Sequence, residues 1–446
     1  MSRSRAAVIL AAGHGTRMRS ETSKVLHSVG GRPMLDWAID LARSSGCERI
    51  AVVYGAHAPQ VGERALKLGC VTAVQDPPQG TGHAVLCAKD AMAGFDGDIA
   101  VLYADTPLIN AETVERAYEA ITGEADIVAL GFEPDDPGAY GRLILNETGG
   151  LERIVEAKDA STDELSVRLC NSGVMAADAS LMFDLLGEVG NDNAKGEYYL
   201  TDIVGIARER GLKAAAVSGA ADEFLGVNSR IDLAAAEAAF QSRMRLDAMT
   251  RGVTLTAPET VFFSHDTQIE NDVTVEPHVV FGPGVQIGRG AAIRAFSHLE
   301  DARVGEGAQI GPYARLRPGA DIGAGARVGN FVEVKKATLG DGAKVNHLTY
   351  IGDADIGAGA NIGAGTITCN YDGFGKYRTV IGENAFIGSN SALVAPINIG
   401  SGSYVGSGSV VTKDVPEDAL AVGRARQSNK EGWAKRFRDK KTRDKE

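Results

Sequence analysis

A six-residue period runs through the C-terminal half of the chain. Stepping by six from Ile269 meets Val275, Phe281, Ile287, Ile293 and Leu299, and after a slip of one residue Val304, Ile310, Leu316, Ile322, Val328 and Val334 follow. Val345, Ile351, Ile356 and Ile362 continue the frame, and beyond an interruption Ile381, Ile387, Leu393, Ile399, Val405 and Val411 keep step. Neither the 3.6-residue repeat of an amphipathic helix nor the alternation of a strand has this period, so the stretch must stack as a solenoid. The aliphatic residue is mostly followed by glycine, as in Ile287-Gly288 and Ile356-Gly357, which lets the backbone turn sharply where a side chain would clash. Three hexads close one triangular coil of about 18 residues, giving roughly eight coils of parallel β-helix. Aliphatics held in register argue against a Gly-rich disordered tract. Inside such a prism only small apolar side chains are expected. The fold narrows the function without choosing it.

With 446 residues, 44% hydrophobic and 23% charged, the chain has material for two or three cores. Cys47, Cys70, Cys87, Cys170 and Cys369 lack paired spacing, which suits reduced thiols in a cytoplasm and disfavours a zinc site. The apolar run after Arg3 and Arg5 is too short for a leader peptide and reads as a first strand. A net charge of −12 argues against a nucleic-acid partner, and no membrane partner is expected. Residues 424–446 hold ten Lys or Arg against four acids, so the tail is +6 and the body −18. Such a tail is expected to be solvated disorder, with binding of phosphorylated ligands the sharper alternative.

Residues 1–228 read as an α/β domain. The runs AVILAA, IAVVYG, VTAVQ, IAVLYA and IVALGF alternate with helical patterns over 34–44, 83–92 and 111–121, predicting a mostly parallel, Rossmann-like sheet with helices on both faces. Residues 229–252 form a linker helix, 253–423 the all-β solenoid, and 424–446 the basic tail. After the first strand comes LAAGHGTRM, with Lys24 close behind. Gly13 and Gly15 would let backbone N–H groups approach phosphate, while Arg17 and Lys24 neutralise its charge. The run lacks the G-K-[ST] of a Walker loop. Asp105 follows the apolar run IAVLY, at the strand end where open sheets place ligands, although a lone Asp there also serves as a helix cap.

The first run resembles the signature of the nucleotide-sugar pyrophosphorylases. The resemblance implies that Leu10, Ala11, Ala12, Gly13 and Lys24 hold UTP, with Arg17 and Lys24 acting on its phosphates. Gln75, Gly80 and Thr81 would read the uracil, and Gly141, Glu156 and Asn171 would hold N-acetylglucosamine and ribose. Asp105 and Asn228 would bind Mg²⁺, which keeps waters and takes phosphate oxygens for the rest of its shell. Two positions depart from that pattern: His14 stands where a Lys is common, and Ala104 where YGD is usual.

The solenoid brings Lys335, His347, Tyr350, Asn361, Asn370 and Tyr371 onto neighbouring coils, because residues about 18 apart stack vertically. Polar groups there must point outward, and a histidine among them is a candidate general base. Together with RLRPGA and KEGW, this stretch resembles the bacterial family of bifunctional N-acetylglucosamine-1-phosphate uridyltransferase/glucosamine-1-phosphate acetyltransferases, and the likeness spans nearly the whole chain. It implies a left-handed coil, as in the hexapeptide-repeat acyltransferases, and a product that feeds peptidoglycan and lipopolysaccharide synthesis. His347 would deprotonate the glucosamine amine, with Glu333 orienting the imidazole. Arg317, Lys335 and Tyr350 would hold the sugar phosphate. Asn361, Asn370 and Tyr371 would position sugar and acetyl group, and Ala364, Ser389, Ser407 and Arg424 would contact acetyl-CoA. The family assembles as a homotrimer with acetyl sites between subunits. Two rivals are a single-activity nucleotidyltransferase whose solenoid only regulates or oligomerises, and a plain scaffold or solenoid carbonic anhydrase, for which His265, His278, His298 and His347 poorly supply a metal triad.

Overall fold

The computed structural model describes residues 3–123, 125–193 and 195–444, in two compact units, Met1–Arg243 and Met244–Glu446. In the first, the apolar runs become β1 (Arg5–Ala11), β4 (Cys47–Gly55), β5 (Val71–Gln75), β6 (Asp98–Tyr103) and β7 (Ile127–Phe132). A small hairpin, β2 (Ser28–Val29) and β3 (Arg32–Pro33), follows the glycine-rich loop. A second hairpin, β8 (Arg142–Leu145) and β9 (Leu151–Val155), precedes β10 (Cys170–Asp178) and β11 (Ala214–Ser218). The main sheet runs β11-β7-β10-β6-β1-β4-β5. It is parallel except for β10, which lies antiparallel to both β6 and β7. Ala6 to Ile9 are wholly buried at its centre, so the N-terminal apolar run is a core strand covered on both faces.

Helices α1 (Met34–Ser44), α2 (Pro59–Lys67), α3 (Thr81–Cys87), α4 (Ala111–Gly123), α5 (Thr162–Leu165), α6 (Ala179–Leu186) and α7 (Asp202–Glu209) join the strands. The helix expected over 83–92 is shorter: α3 ends at Cys87, and one tight turn, Asp90–Met92, carries Met92 into the core. Helix α8 (Arg230–Thr250) begins with reciprocal capping, in which Asp232 N–H donates to Ser229 Oγ and Asp232 Oδ2 accepts from the N–H of Ser229 and Asn228. It is not a free linker. Glu237 accepts from Gly30 N–H, Phe240 packs edge-on to Trp37, and Arg243 donates to the Leu108 carbonyl in the first unit. Met244 and Ala248 pack with the core of the second, so the unit boundary falls inside the helix, within the 229–252 stretch read as the linker.

The second unit is a three-sided parallel β-helix. One face is a ladder of ten short strands from Thr254–Leu255 to Leu420–Ala421. The other two faces share strands Glu333–Leu339 and Tyr350–Ile356, which bend around a corner. The periodic aliphatics fill the axis, with Ile310, Leu316, Val334, Val345 and Ile351 wholly buried. Two details differ from the sequence reading. The interior is small but not entirely apolar: Thr349, Thr366, Ser391, Ser403 and Ser409 are buried, and hydroxyls such as Ser391 and Ser403 donate to turn carbonyls three residues back. Where a glycine follows the aliphatic it is dictated by stacking, since a Cβ on Gly305 would lie 2.7 Å from Ala324 N in the next coil, and one on Gly388 2.4 Å from Ser407 N.

Along one corner, His278, Phe296, Tyr313 and Phe331 stack at 4.8, 4.9 and 5.2 Å, each with positive φ. Leu348 follows at the same corner, and Phe296, Tyr313, Phe331 and Leu348 are all exposed. The tail is not wholly disordered. Its Gly- and Pro-free segment forms α9 (Trp433–Arg443), stabilised by good helix formers and by Trp433 stacked on Phe437 at 5.2 Å. Among the described residues no helix is long and apolar enough to cross a membrane.

Candidate functional site

In the first unit the predicted residues converge at the carboxyl ends of β1, β5 and β6. Leu10, Ala11 and Ala12 are buried as β1 runs out, and a Cβ on Gly13 would meet nothing within 4 Å, leaving its backbone open to a ligand. Gly15 has φ +60° and presses on Lys24, where an added Cβ would lie 2.7 Å from the lysine Cβ. Lys24 is itself buried, and its ammonium bonds Asp105 Oδ2 and, at 3.1 Å, Asn228 Oδ1. The bond from Val227 N–H to the Asp105 carbonyl, 2.8 Å, and the cap of α8 hold Asn228 against Asp105. Carboxylate and amide oxygens therefore already face one cation. That donor pair fits Mg²⁺, which would complete its shell with water and phosphate oxygens; no cluster of three or more His, Cys, Asp or Glu with metal-binding geometry occurs among the described residues.

Arg17 lies exposed on the turn Thr16–Met18, without an ion pair among the described residues. His14 stacks on His57 at 4.1 Å. Burial and the neighbouring His14 hold the His57 imidazole below its ordinary range. Ala104 is fully buried, its N–H bonded to the Leu10 carbonyl at 3.1 Å.

Tyr103, at the end of β6, is the hub of a second group of the predicted residues. Burial and the nearby Asp105 and Glu156 charges keep its phenol protonated, and Thr81 shares a hydrogen bond with it. Gly173 packs so closely on the ring that a Cβ would come within 2.9 Å. Asn171 Oδ1 accepts from Gly173 N–H, and Asn171 N–H donates to the Gly141 carbonyl at 2.8 Å. Burial pushes the Glu156 carboxyl up, opposed by Lys195. Gln75 Nε2 donates to the Gly80 carbonyl at 2.9 Å, and Thr81 Oγ1 accepts from Leu200 N–H. Tyr103 was legible only as the last residue of the apolar run IAVLY, since nothing in its spacing marks it as a hub.

In the second unit His347 closes the strand Lys344–His347 and is exposed at the corner before Tyr350. Its Nδ1–H donates to Asn330 Oδ1 at 2.9 Å, one coil below in register, which leaves Nε2 as the proton acceptor. Glu333, expected to orient the imidazole, makes no hydrogen bond to it among the described residues. Its carboxylate takes Arg317 at 2.7 Å and Arg315 at 3.8 Å, because Glu333 and the arginines lie on the adjacent face, where Arg315 is its rung partner. A surface cleft of about 570 Å³, lined by Tyr313, Asn330, Phe331, Asn346 and His347, opens beside the imidazole.

The residues expected to hold the sugar phosphate lie on that adjacent face. Lys335 lies close enough to Lys376 to pull its ammonium down from its ordinary range, so two lysines share a spot that an anion would relieve. Lys376 was missed from sequence: it lies in the interruption of the repeat, where periodicity gives no register. Asn370 Nδ2 reaches Asp353 and, at 3.5 Å, the Tyr350 hydroxyl. Tyr371 is exposed, its hydroxyl donating to the Gly373 carbonyl at 2.6 Å. Asn361 lies on the rung above Lys344, and Ala364, Ser389 and Gly408 climb a corner through Asn390 N–H to Ala364 O and Gly408 N–H to Ser389 O, both 2.7 Å. Ser407 and Arg424 are exposed at the top of that column.

Comparison with known proteins agrees with this division. Residues 7–162 match the MobA-like NTP transferase domain, and residues 266–300, 301–336 and 378–413 match the bacterial transferase hexapeptide repeats. The bifunctional protein GlmU of Maricaulis maris is 64% identical over 98% of this chain and 97% of its own length. GlmU of Hyphomonas neptunium is 59% identical over 99% and 96%, and that of Caulobacter vibrioides 58% over 98% and 95%. The β-helix is consistent with the left-handed coil of the hexapeptide transferases. With a nucleotidyltransferase unit and a hexapeptide unit aligned end to end at such identity, the chain belongs to the family of bifunctional GlmU proteins.

Proposed function

We propose that the two units catalyse successive steps to UDP-N-acetylglucosamine. The observation that carries this reading is one chain with two unlike polar clusters, Lys24 between Asp105 and Asn228 in one unit and His347 on Asn330 in the other. In the acetyl step the amine of glucosamine-1-phosphate attacks the thioester carbonyl of acetyl-CoA. A C–N bond forms, the C–S bond breaks, and coenzyme A leaves as the thiol. His347 Nε2 takes the amine proton and returns it to the leaving sulfur, with Asn330 fixing the ring. Arg317, Lys335, Lys376 and Tyr350 hold the sugar phosphate, with Glu333 aligning Arg317. Asn361, Asn370 and Tyr371 position sugar and acetyl group, and acetyl-CoA lies along Ala364, Ser389 and Ser407 towards Arg424.

In the uridylyl step the phosphate of N-acetylglucosamine-1-phosphate attacks the α-phosphorus of UTP, and pyrophosphate leaves. Gln75, Gly80 and Thr81 receive the uracil, while Gly141, Glu156 and Asn171 receive the sugar and ribose. Residues 10–13 present backbone N–H groups, and Arg17 and Lys24 neutralise the phosphates. Held by Asp105 and Asn228, Mg²⁺ supplies further charge neutralisation when bound.

A prism face cannot enclose acetyl-CoA, so the acetyl site is completed by other copies in a homotrimer. The exposed stack of Phe296, Tyr313 and Phe331 beside the His347 corner supports this assembly. Five free thiols and these substrates fit a cytoplasmic protein without nucleic-acid or membrane partners. Omitting components singly from glucosamine-1-phosphate, acetyl-CoA, UTP and Mg²⁺ tests the scheme. Without UTP, N-acetylglucosamine-1-phosphate should accumulate; without acetyl-CoA, no UDP-N-acetylglucosamine should form. Uridylyl transfer with no acetyl transfer would overturn the two-step reading in favour of a single-activity nucleotidyltransferase.

A further inference from the structure

Gln75 ends β5 almost fully buried, 4% exposed. Its Nε2 lies 2.9 Å from the carbonyl oxygen of Gly80, an atom that only accepts, so the amide NH₂ must face that side. The same Nε2 lies 3.2 Å from Nδ1 of His83, in the first turn of α3. An amide nitrogen only donates, so Nδ1 offers its lone pair and the ring proton resides on Nε2, which faces Cys87 Sγ at 3.8 Å. Both amide hydrogens are thereby engaged within the protein. Only Oε1, an acceptor without a partner among the described residues, is left for a ligand.

An acceptor pairs with the N3–H of uracil, whereas cytosine presents a lone pair at N3. Serving cytosine would require the amide to turn over, setting Oε1 against both the Gly80 carbonyl and His83 Nδ1. The Gly80 carbonyl does not yield readily. Gly80 is held at φ +106°, with Tyr198 O only 2.5 Å from where a Cβ would stand. The bonds Gly82 N–H to Tyr198 O and Tyr198 N–H to Gln79 O, both 2.8 Å, pin the segment. We propose that His83, as the neutral Nε2–H tautomer, is a positioning residue that locks the Gln75 amide and sets the preference for uracil over cytosine nucleotides. The proposal rests on Gln75 reading the base in the function given above.

The test uses the full-length protein and compares the KM for UTP with the inhibition constant of CTP. His83→Leu removes one of two opposing acceptors, and the UTP-over-CTP preference should fall by about tenfold, through binding with kcat little changed. His83→Asn, whose Oδ1 can stand where Nδ1 stood, should keep the wild-type preference. Acetyl transfer should be unaltered in both, reporting that the chain is folded. Gln75→Ala separates the two layers of the argument. If it leaves the KM for UTP unchanged, the base-reading assignment fails and the lock with it. If it raises that KM while His83→Leu retains full preference, or if His83→Asn behaves like His83→Leu, the lock alone is refuted.

Discussion

Replacing Gly15 by alanine tests how tightly the phosphate loop is coupled to Lys24. The residue sits at φ +60°, a conformation that costs a non-glycine residue about 1–2 kcal/mol. The new Cβ would stand 2.7 Å from Lys24 Cβ, where ordinary contact begins at 3.4 Å, so the lysine must retreat by about 0.7 Å. The obstacle is next to the backbone and cannot swing aside as a side-chain tip would. For a unit of this size each 1 kcal/mol lowers Tm by about 2–4 °C, so the variant should stay folded at room temperature. Catalysis should suffer more. The Lys24 ammonium bridges Asp105 and Asn228, and misplacing such a group by about 1 Å can cost about 10²-fold in rate. Pyrophosphate release from UTP and N-acetylglucosamine-1-phosphate should therefore fall about 10²-fold in kcat/KM, while thiol release from acetyl-CoA is unchanged. Full uridylyl transfer by a folded Gly15→Ala protein would refute the coupling, as would an equal loss of both activities.

Asp105→Ala should abolish uridylyl transfer at every Mg²⁺ concentration and leave acetyl transfer intact; a variant restored by excess metal would show that Asp105 is dispensable as a ligand. Asn330→Leu should lower acetyl kcat about 10-fold or more and shift its pH profile at unchanged KM, whereas a profile altered by Glu333→Gln alone would return the orienting role to Glu333. Removing residues 424–446 should depress acetyl transfer selectively, and mixing those chains with His347→Ala chains should restore part of it through hybrid sites; a monomeric mass with full acetyltransferase activity would contradict the shared site. His57 is held below its ordinary range by burial and by His14, so the folded unit takes up fewer protons than the unfolded chain and loses stability as pH falls below about 6.5. His57→Gln should flatten that acid limb of Tm against pH, and an unchanged limb would remove His57 as its source.

The solenoid was legible because its signal is arithmetic. Each aliphatic from Ile287 to Val411 reports the axis by its position alone, and the interior follows the frame through every slip. The parallel sheet was legible because buried strands are continuous apolar runs, but not the reversal of β10, since antiparallel and parallel strands buried on both faces read alike. The Asp105–Asn228 pair was half visible: Asp105 stood at a strand end, while Asn228 is held by the cap of a helix 123 residues further on, a relation no spacing encodes. Lys376 and Asn330 escaped because each depends on which turn faces which. The pairing of Asn330 with His347 is a rung contact, and Glu333, only three residues away, turns the corner to another face.

The rungs also govern how such a column can change in length. On one face Gln268 lies beside Gln286, Gln286 beside Arg303 and Arg303 beside Asp321. A few residues added inside a rung would carry every later aliphatic off the axis, just as a one-residue slip turns a strand inside out. A detour that leaves and re-enters at one corner disturbs nothing above or below. Residues 370–378 make such a detour: Thr338 pairs with Asp355, which pairs in turn with Val380, a step of 25 residues where the rung beneath needed 17. The detour is what brings Asn370 alongside Tyr350 and Lys376 alongside Lys335. The column thus behaves as a ruler of fixed graduation with one movable tab. Inherited changes in what this face grips can accumulate in the tab, while the graduations beneath it stay as they are.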